Sequence, residues 1–265
     1  MTDLEQEYSP SSCVGGSAEP FIADYVGRSA VAARTLGDAV HTLVDGSVVV
    51  PAPDGHALPL LVFVHGGYWQ ALSAAASLYL APGAVRAGWS YAAVEYTIAP
   101  GATLVTMVEE CRAALHAIAT STPHSALILA GHSAGAHLAA MVTVSADPPV
   151  PVDALVLLSG VYDLRPLVHT TINEPLGLSD DTAAALSPLL LSVRNAPPTL
   201  VAVGEVETAA FHAQSRAMAE RLRSGAGGAV SDLVVPARHH FDIVDDLVDP
   251  STAVGAFVHR QGGTR

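Results

Sequence analysis

The strongest chemical signal in the chain is a serine between two glycines, Gly-His-Ser-Ala-Gly at residues 131–135. An apolar run over 126–130 precedes this pentad, and a helical pattern over 134–144 follows it. A serine on a sharp turn between a strand and a helix is held with its hydroxyl exposed, and the helix N-terminus favours negative charge beside it. Ser133 is therefore the candidate nucleophile. The alternative is a Gly-rich turn without catalytic meaning.

A second motif, His-Gly-Gly-Tyr-Trp at 65–69, follows the apolar run 60–64. Consecutive glycines let backbone N–H groups approach a substrate oxygen without obstruction by side chains. Gly66 and Gly67, together with the N–H of Ala134, are the candidate oxyanion hole. The alternative is a tight turn after a strand, which Gly-Gly also forms, but that alternative does not predict the serine pentad downstream.

A serine nucleophile needs a general base, and the base needs an orienting acid. His240 follows the last predicted strand and is the candidate base, although the adjacent His239 leaves an ambiguity of one residue. Glu207 is the candidate acid because it follows the predicted strand 199–203 and lies between the serine and the histidine in the chain. Solvated carboxylates and helix caps are the alternative reading of any such acid. The competing candidate acids are Glu205, Asp163 and Asp242.

These residues need a scaffold that brings distant loops to one place. Apolar runs alternate with helical patterns, which predicts an α/β fold with a mostly parallel sheet covered by helices. The predicted strands are 42–50, with a possible turn at Asp45-Gly46, and 60–64, 91–96, 126–130, 154–158, 199–203 and 233–235. The predicted helices are 21–35, 104–118, 134–144 and 208–224, with a further helix from near Asp242.

We expect a single domain over residues 1–265, because no repeat or low-complexity tract interrupts the alternation. Two segments fit the alternation poorly. Residues 1–40 precede the first strand and are a candidate cover for the active site, and residues 161–197 are a candidate cap-like connection. Ordinary surface connection is the alternative for both segments.

The composition excludes several classes of function. The formal net charge is −13, and all 12 basic residues are arginine. An acidic surface repels phosphate backbones, so no nucleic-acid partner is expected. The lack of lysine excludes Schiff-base chemistry, a P-loop and a Ser–Lys dyad. Neither a metal-binding pattern nor a dinucleotide fingerprint occurs, so no metal or other cofactor is expected.

The beginning of the chain, Met-Thr-Asp-Leu-Glu, is acidic and shows no signal-peptide pattern. The longest apolar stretch, 126–146, is interrupted by glycines, histidines and a serine, which argues against a membrane span. We therefore expect a cytoplasmic protein without a membrane partner.

Together the motifs resemble the kynurenine formamidase-like branch of the α/β-hydrolases, which contains arylformamidases and carboxylesterases. The resemblance spans about 60–245. Besides 65–69 and the pentad, it includes Ser-Gly-Val-Tyr-Asp-Leu at 159–164, Asn-Glu-Pro-Leu-Gly-Leu at 173–178, Phe-His-Ala-Gln-Ser at 211–215 and His-Phe-Asp at 240–242. It implies an α/β-hydrolase fold with an eight-stranded core, a short N-terminal segment near the pocket and a triad of Ser133, Glu207 and His240. The family position that matches Glu207 is usually aspartate.

The first functional hypothesis is a serine hydrolase that cleaves small-acyl carboxylic esters through an acyl-enzyme. Tyr68 and Trp69 are candidate substrate-binding residues that narrow the acyl side, and packing in the core is their alternative. Relatives with this motif set also hydrolyse N-formylkynurenine, so an arylformamidase is the second hypothesis. A non-catalytic binding protein on the same fold is the third. The expected partner is a small-molecule ester or formamide, and a homodimer is left open.

Overall fold

The computed structural model describes residues 3–144, 147–193, 196–225 and 228–263. Parts of the predicted domain 1–265 therefore lie outside the described residues, namely 1–2, 145–146, 194–195, 226–227 and 264–265. Of these, 1–2 belong to the candidate cover 1–40, and 194–195 belong to the candidate cap-like connection 161–197.

Eight strands of the described residues form one mixed sheet. They are β1 (His41–Thr42), β2 (Val48–Val50), β3 (Leu58–Val64), β4 (Ser90–Val94), β5 (His124–His132), β6 (Ala154–Leu158), β7 (Thr199–Val206) and β8 (Val230–His239). Their spatial order is β1-β2-β4-β3-β5-β6-β7-β8. The β1–β2 and β2–β4 pairs are antiparallel and the remaining pairs are parallel, which confirms the mostly parallel eight-stranded sheet. The carboxyl ends of β3, β5, β6, β7 and β8 consequently share one edge, where ligands of such sheets bind.

The described α-helices lie on both faces of the sheet. They are α1 (Asp3–Glu7), α2 (Glu19–Leu36), α3 (Ala81–Arg86), α4 (Leu104–Ser121), α5 (Ala134–Thr143), α6 (Asp180–Ala185), α7 (Ala209–Ser224) and α8 (Ala253–Gly262). Short 3-10 helices connect them at 10–13, 37–39, 53–55, 75–80, 165–169, 171–173, 188–190 and 243–248. None of the α-helices described is both long enough and apolar enough to cross a bilayer.

Residues along β3 alternate between two buried layers, as the period of a strand requires. Leu60, Val62 and Val64 pack in the layer that contains α4, α5 and α7. Leu61 and Phe63 pack in the layer that contains α2, α3 and α8. Burial on both faces explains why the strand reads as a continuous apolar run in the sequence.

The possible turn at Asp45-Gly46 divides the segment 42–50 into β1 and β2, where Gly46 adopts φ +92° and Ser47 hydrogen-bonds the Asp45 carboxylate. Two other predicted elements differ from the structure. The last strand is longer than 233–235, since β8 lies at the sheet edge and many of its residues are exposed rather than apolar and buried. The helix expected from near Asp242 is a 3-10 helix, Ile243–Val248.

Candidate active site

Ser133 lies on the turn between β5 and α5, with φ +56° and ψ −121°. This region of backbone torsion angles is unfavourable for residues other than glycine. The N–H of Ser133 donates to the Leu158 carbonyl of β6 at 2.8 Å. The neighbouring glycines are sterically required. A Cβ on Gly131 would lie 2.3 Å from the Gly135 carbonyl oxygen, and one on Gly135 would lie 2.0 Å from the Val64 oxygen. Close contact between the turn and its neighbours therefore depends on both glycines.

The Gly-Gly loop after β3 lies directly against this turn. A Cβ on Gly66 would be 2.9 Å from the His132 carbonyl oxygen and 3.0 Å from Cβ of Ser133. Gly67 has φ +99°, and a Cβ there would lie 2.4 Å from the Ala71 carbonyl oxygen. Gly66 is thus required by the close approach to the serine turn, and Gly67 by the turn that the loop makes at Ala71.

Two hydrogen bonds hold this loop from opposite sides. The Tyr68 hydroxyl donates to the carbonyl of Tyr8 at 2.5 Å, and Nε2 of Gln70 donates to the Ile172 carbonyl at 2.8 Å. Ala134 is the first residue of α5, and an N–H at that position has no carbonyl partner within its own helix. Gly66 and Ala134 therefore adjoin the serine and Gly67 shares a cavity wall with it, while their role as an oxyanion hole stays a prediction.

The structure brings His240 and Glu207 together. Nδ1 of His240 lies 2.8 Å from Oε2 of Glu207, and the two side chains are 3% and 0% exposed. The His240 ring also packs edge-on against Phe211 of α7, with 4.7 Å between ring centroids. This burial fixes the imidazole between an aromatic ring and a carboxylate.

The environment of Glu207 favours its charged form. Burial by itself raises the pKa of a carboxyl group, but the His240 ring and hydrogen bonds from Ser159 and Gly204 outweigh burial and lower the pKa of Glu207 below its usual value. Glu207 is consequently an anion at neutral pH. An anion at this position favours the tautomer of His240 with its proton on Nδ1, which leaves Nε2 free to accept a proton.

The competing candidates contact other groups. His239 accepts a hydrogen bond from the N–H of Phe241 at Nδ1, at 3.1 Å. The carboxylates of Glu205, Asp163 and Asp242 bind, in that order, the N–H of Ala237, the guanidinium of Arg165 and the N–H of His239. The structure therefore pairs His240 with Glu207 and with none of the other three acids.

A cavity of about 410 Å³ opens beside these residues, within the range of small-molecule sites. Ser133, His240, Gly67 and Tyr68 contribute to its wall. The N-terminal segment forms much of the rest, through Glu5, Tyr8, Ser9, Pro10, Ser11, Ala18, Ile22 and Tyr25.

Two contacts fasten α2 beside the cavity. The Phe21 ring stacks on Phe241 with 4.3 Å between centroids, and the Tyr25 hydroxyl donates to the Phe241 carbonyl. Phe241 directly follows His240, so the N-terminal segment is attached next to the candidate base.

Trp69 does not lie where the substrate-binding prediction places it. Its side chain is fully buried in the core, and its ring meets His137 of α5 perpendicularly at 5.2 Å. Trp69 is also not among the described residues that line the cavity. The alternative of core packing fits this position, because a buried indole removes a large apolar area from water.

Sequence reasoning missed two residues that contact the candidate dyad. Ser159 donates its hydroxyl to Oε1 of Glu207 at 2.5 Å. His132 lies with Nε2 2.7 Å from the His240 carbonyl oxygen, and burial followed by the proximity of His240 lowers its pKa to about 3. His132 is therefore neutral and donates through Nε2. Ser159 was accessible to sequence reasoning, because it directly follows the predicted strand 154–158.

Comparison with known proteins finds similarity to hydrolases. The BD-FAE family model matches residues 47–222. The kynurenine formamidase of Danio rerio is 35% identical over 268 residues, which cover 93% of this chain and 91% of the relative. The esterase LipC of Mycobacterium tuberculosis is 27% identical and covers 74% of this chain and 56% of the relative.

Solved structures resemble the whole chain. The crystal structure of a thioesterase candidate from Silicibacter sp. has a TM-score of 0.86 at 27% identity, covering 98% of this chain and 100% of that one. An esterase of the bacterial hormone-sensitive lipase family has a TM-score of 0.67 at 21% identity, covering 93% and 100%, and shares the fold. Relatives and neighbours are thus hydrolases, which leaves the hypothesis of a non-catalytic binding protein without support.

Proposed function

Because the chain belongs to the kynurenine formamidase family and is a hydrolase of the α/β-hydrolase fold, we propose that it cleaves small-acyl carboxylic esters through an acyl-enzyme on Ser133. The observation that carries the proposal is the buried His240–Glu207 pair, 2.8 Å apart, whose histidine shares a cavity with Ser133. A carboxylate-bound imidazole next to a serine on a strained turn is the arrangement that activates a hydroxyl for acyl transfer.

The residues act in sequence on the carbonyl group. His240 removes the proton of Ser133 through Nε2 as the serine oxygen attacks the carbonyl carbon. The N–H groups of Gly66, Gly67 and Ala134 stabilise the oxyanion of the tetrahedral intermediate. The intermediate collapses as His240 gives the proton to the leaving alcohol, and water then releases the acid from Ser133 by the same steps.

A series of p-nitrophenyl esters of increasing acyl chain length tests the small-acyl preference. In this proposal Tyr68 borders the acyl group of the substrate beside Gly67. We expect kcat/KM on p-nitrophenyl acetate and butyrate to exceed that on the octanoate. A higher value on the octanoate would refute the preference and leave the hydrolase assignment intact.

Hydrolysis of N-formylkynurenine is a second candidate function, favoured by the 35% identity with proteins named kynurenine formamidase. A formyl group is the smallest acyl group, so the same attack on the carbonyl carbon applies to a formamide. The ratio of kcat/KM on N-formylkynurenine to that on phenyl acetate separates the two candidates.

The nucleophile is tested by labelling with a fluorophosphonate and mapping the modified residue. Ser133→Ala should abolish both labelling and turnover, whereas Ser12→Ala, which changes an exposed serine that is not among the described residues of the cavity wall, should retain both. Labelling that persists in Ser133→Ala would refute the proposed nucleophile. A cytoplasmic location, the small-molecule partner and the homodimer stay predictions.

A further inference from the structure

The carboxylate of Glu207 is held at both of its oxygens. Oε1 accepts the Ser159 hydroxyl at 2.5 Å and the Gly204 N–H at 2.7 Å, while Oε2 faces Nδ1 of His240 at 2.8 Å. Rotating the carboxylate away from this arrangement would leave buried donors without an acceptor, which is unfavourable. The two donors on Oε1 therefore keep Oε2 opposite the imidazole.

The backbone at Ser159 is strained. Its φ is +50°, in the left-handed region that favours glycine, although its N–H still donates to the Ala202 carbonyl of β7 at 2.8 Å. Ser159 is also fully buried. Glycine would suit this φ better, and the side chain that Ser159 carries instead donates its hydroxyl to Glu207.

The end of β6 contacts both the nucleophile and the acid. The carbonyl of Leu158 accepts the N–H of Ser133, and the next residue, Ser159, donates to Glu207. Two consecutive residues thus set the position of two members of the proposed triad. Any shift of this strand end would move both members.

A glutamate needs such support more than an aspartate does. Its side chain has three torsions instead of two, so more conformational freedom must be lost to hold the carboxylate in one place. The Ser159 hydroxyl and the Gly204 N–H supply that restraint.

We propose that Ser159 is a positioning residue whose hydroxyl fixes the Glu207 carboxylate so that Oε2 stays opposite His240. This inference rests on the proposed function, because it gives Ser159 a task within the same triad. Ser159 acts only through Glu207, and its loss therefore slows turnover without weakening substrate binding.

The test measures kcat and KM on phenyl acetate for Ser159→Ala. Because Ser159→Ala removes a hydrogen bond to a charged group, we expect its kcat to be roughly 10-fold to 100-fold below that of the wild type. Its KM should stay within about 2-fold of the wild type. Ser90→Ala is the matched control, because Ser90 is also fully buried and its hydroxyl has no hydrogen-bond partner within the described part of the chain. This control should keep the wild-type kcat.

A double-mutant cycle separates positioning from a general structural effect. In a Glu207→Ala background no carboxylate remains to be oriented, so adding Ser159→Ala should lower kcat by less than about 2-fold. Ser159→Gly removes the hydroxyl but suits the left-handed φ, and it should show the same loss of kcat even if Ser159→Ala folds poorly.

Wild-type kcat in Ser159→Gly, or an undiminished effect of Ser159→Ala in the Glu207→Ala background, would overturn the proposal. Failure of the proposed function has a different signature. In that case Ser133→Ala retains turnover, or Glu207→Ala itself has the wild-type kcat.

Discussion

Replacing Glu207 by glutamine changes one atom in the centre of the proposed triad and leaves the volume of the side chain the same. The amide oxygen and the amide nitrogen must then divide two positions, one beside Ser159 and Gly204 and one beside His240. With the oxygen beside the two donors, the NH2 group faces Nδ1 of His240. Nδ1 must then accept, the ring proton moves to Nε2, and the base for Ser133 is lost.

The opposite orientation keeps the productive tautomer but turns the NH2 group toward Gly204. The backbone N–H of Gly204 cannot rotate away, and a buried donor without an acceptor costs about 1–3 kcal/mol. This orientation is therefore about 10-fold to 100-fold less populated than the first one. A neutral acceptor also stabilises the His240 imidazolium less than an anion does, by about another 10-fold. Together these factors predict a kcat for Glu207→Gln that is roughly 10²-fold to 10³-fold below the wild type.

Initial rates on phenyl acetate, with thermal unfolding of each variant, measure this effect. Glu205→Gln is the matched control, because Glu205 is exposed and binds the N–H of Ala237 instead of a histidine. We expect its kcat to stay within about 3-fold of the wild type, as for a surface substitution. Equal losses in the two variants, or a near-native kcat in Glu207→Gln, would refute the assignment of Glu207 as the acid.

Two further predictions concern stability. Burial lowers the pKa of His132 to about 3 and that of His137 to about 4, from 6.5, so both are neutral in the fold and take up protons on unfolding. The contribution of these two histidines to the free energy of unfolding should be complete above about pH 6.5 and should be lost as the pH drops toward 4. The loss should be smaller in His137→Asn. Urea titrations that gave the same free energy of unfolding at every pH between about 7.5 and 5 would contradict this prediction. Trp69→Ala should lower the free energy of unfolding by about 3–5 kcal/mol, measured in urea at pH 7.5, because the fully buried indole leaves a cavity. A loss below about 1 kcal/mol would show that Trp69 is not a core residue.

The sheet was predictable because its central strands are buried on both faces. Continuous apolar runs such as 60–64 and 154–158 are unambiguous when the segments between them have helical spacing, and the structure places β3 and β6 there. The edge strands were less predictable. At the edge, exposure interrupts the apolar run, and the extent of β8 depends on its pairing with β7 rather than on its own residues.

The pairing of His240 with Glu207 was predictable, whereas the core position of Trp69 and the contacts of Ser159 and His132 were not. The order of Ser133, Glu207 and His240 follows from the chain, but the choice between Glu205 and Glu207 depends on how β7 ends. Glu205 still belongs to the strand and points to Ala237, whereas Glu207 follows the strand and is buried beside His240. Such a difference of two residues is set by pairing across the sheet, which a single sequence does not display.

The attachment of α2 to Phe241 also orders events during synthesis of the chain. Tyr25 and its partner Phe241 are 216 positions apart, so the residues that wall the cavity leave the ribosome long before the surface they pack against. At about 5–20 residues per second, that delay is roughly 10–40 s. Through this interval Phe21 and Tyr25 lack their native partner Phe241 on the last loop, although Tyr25 can already stack on Tyr79. The cavity is therefore among the last parts of the protein to form.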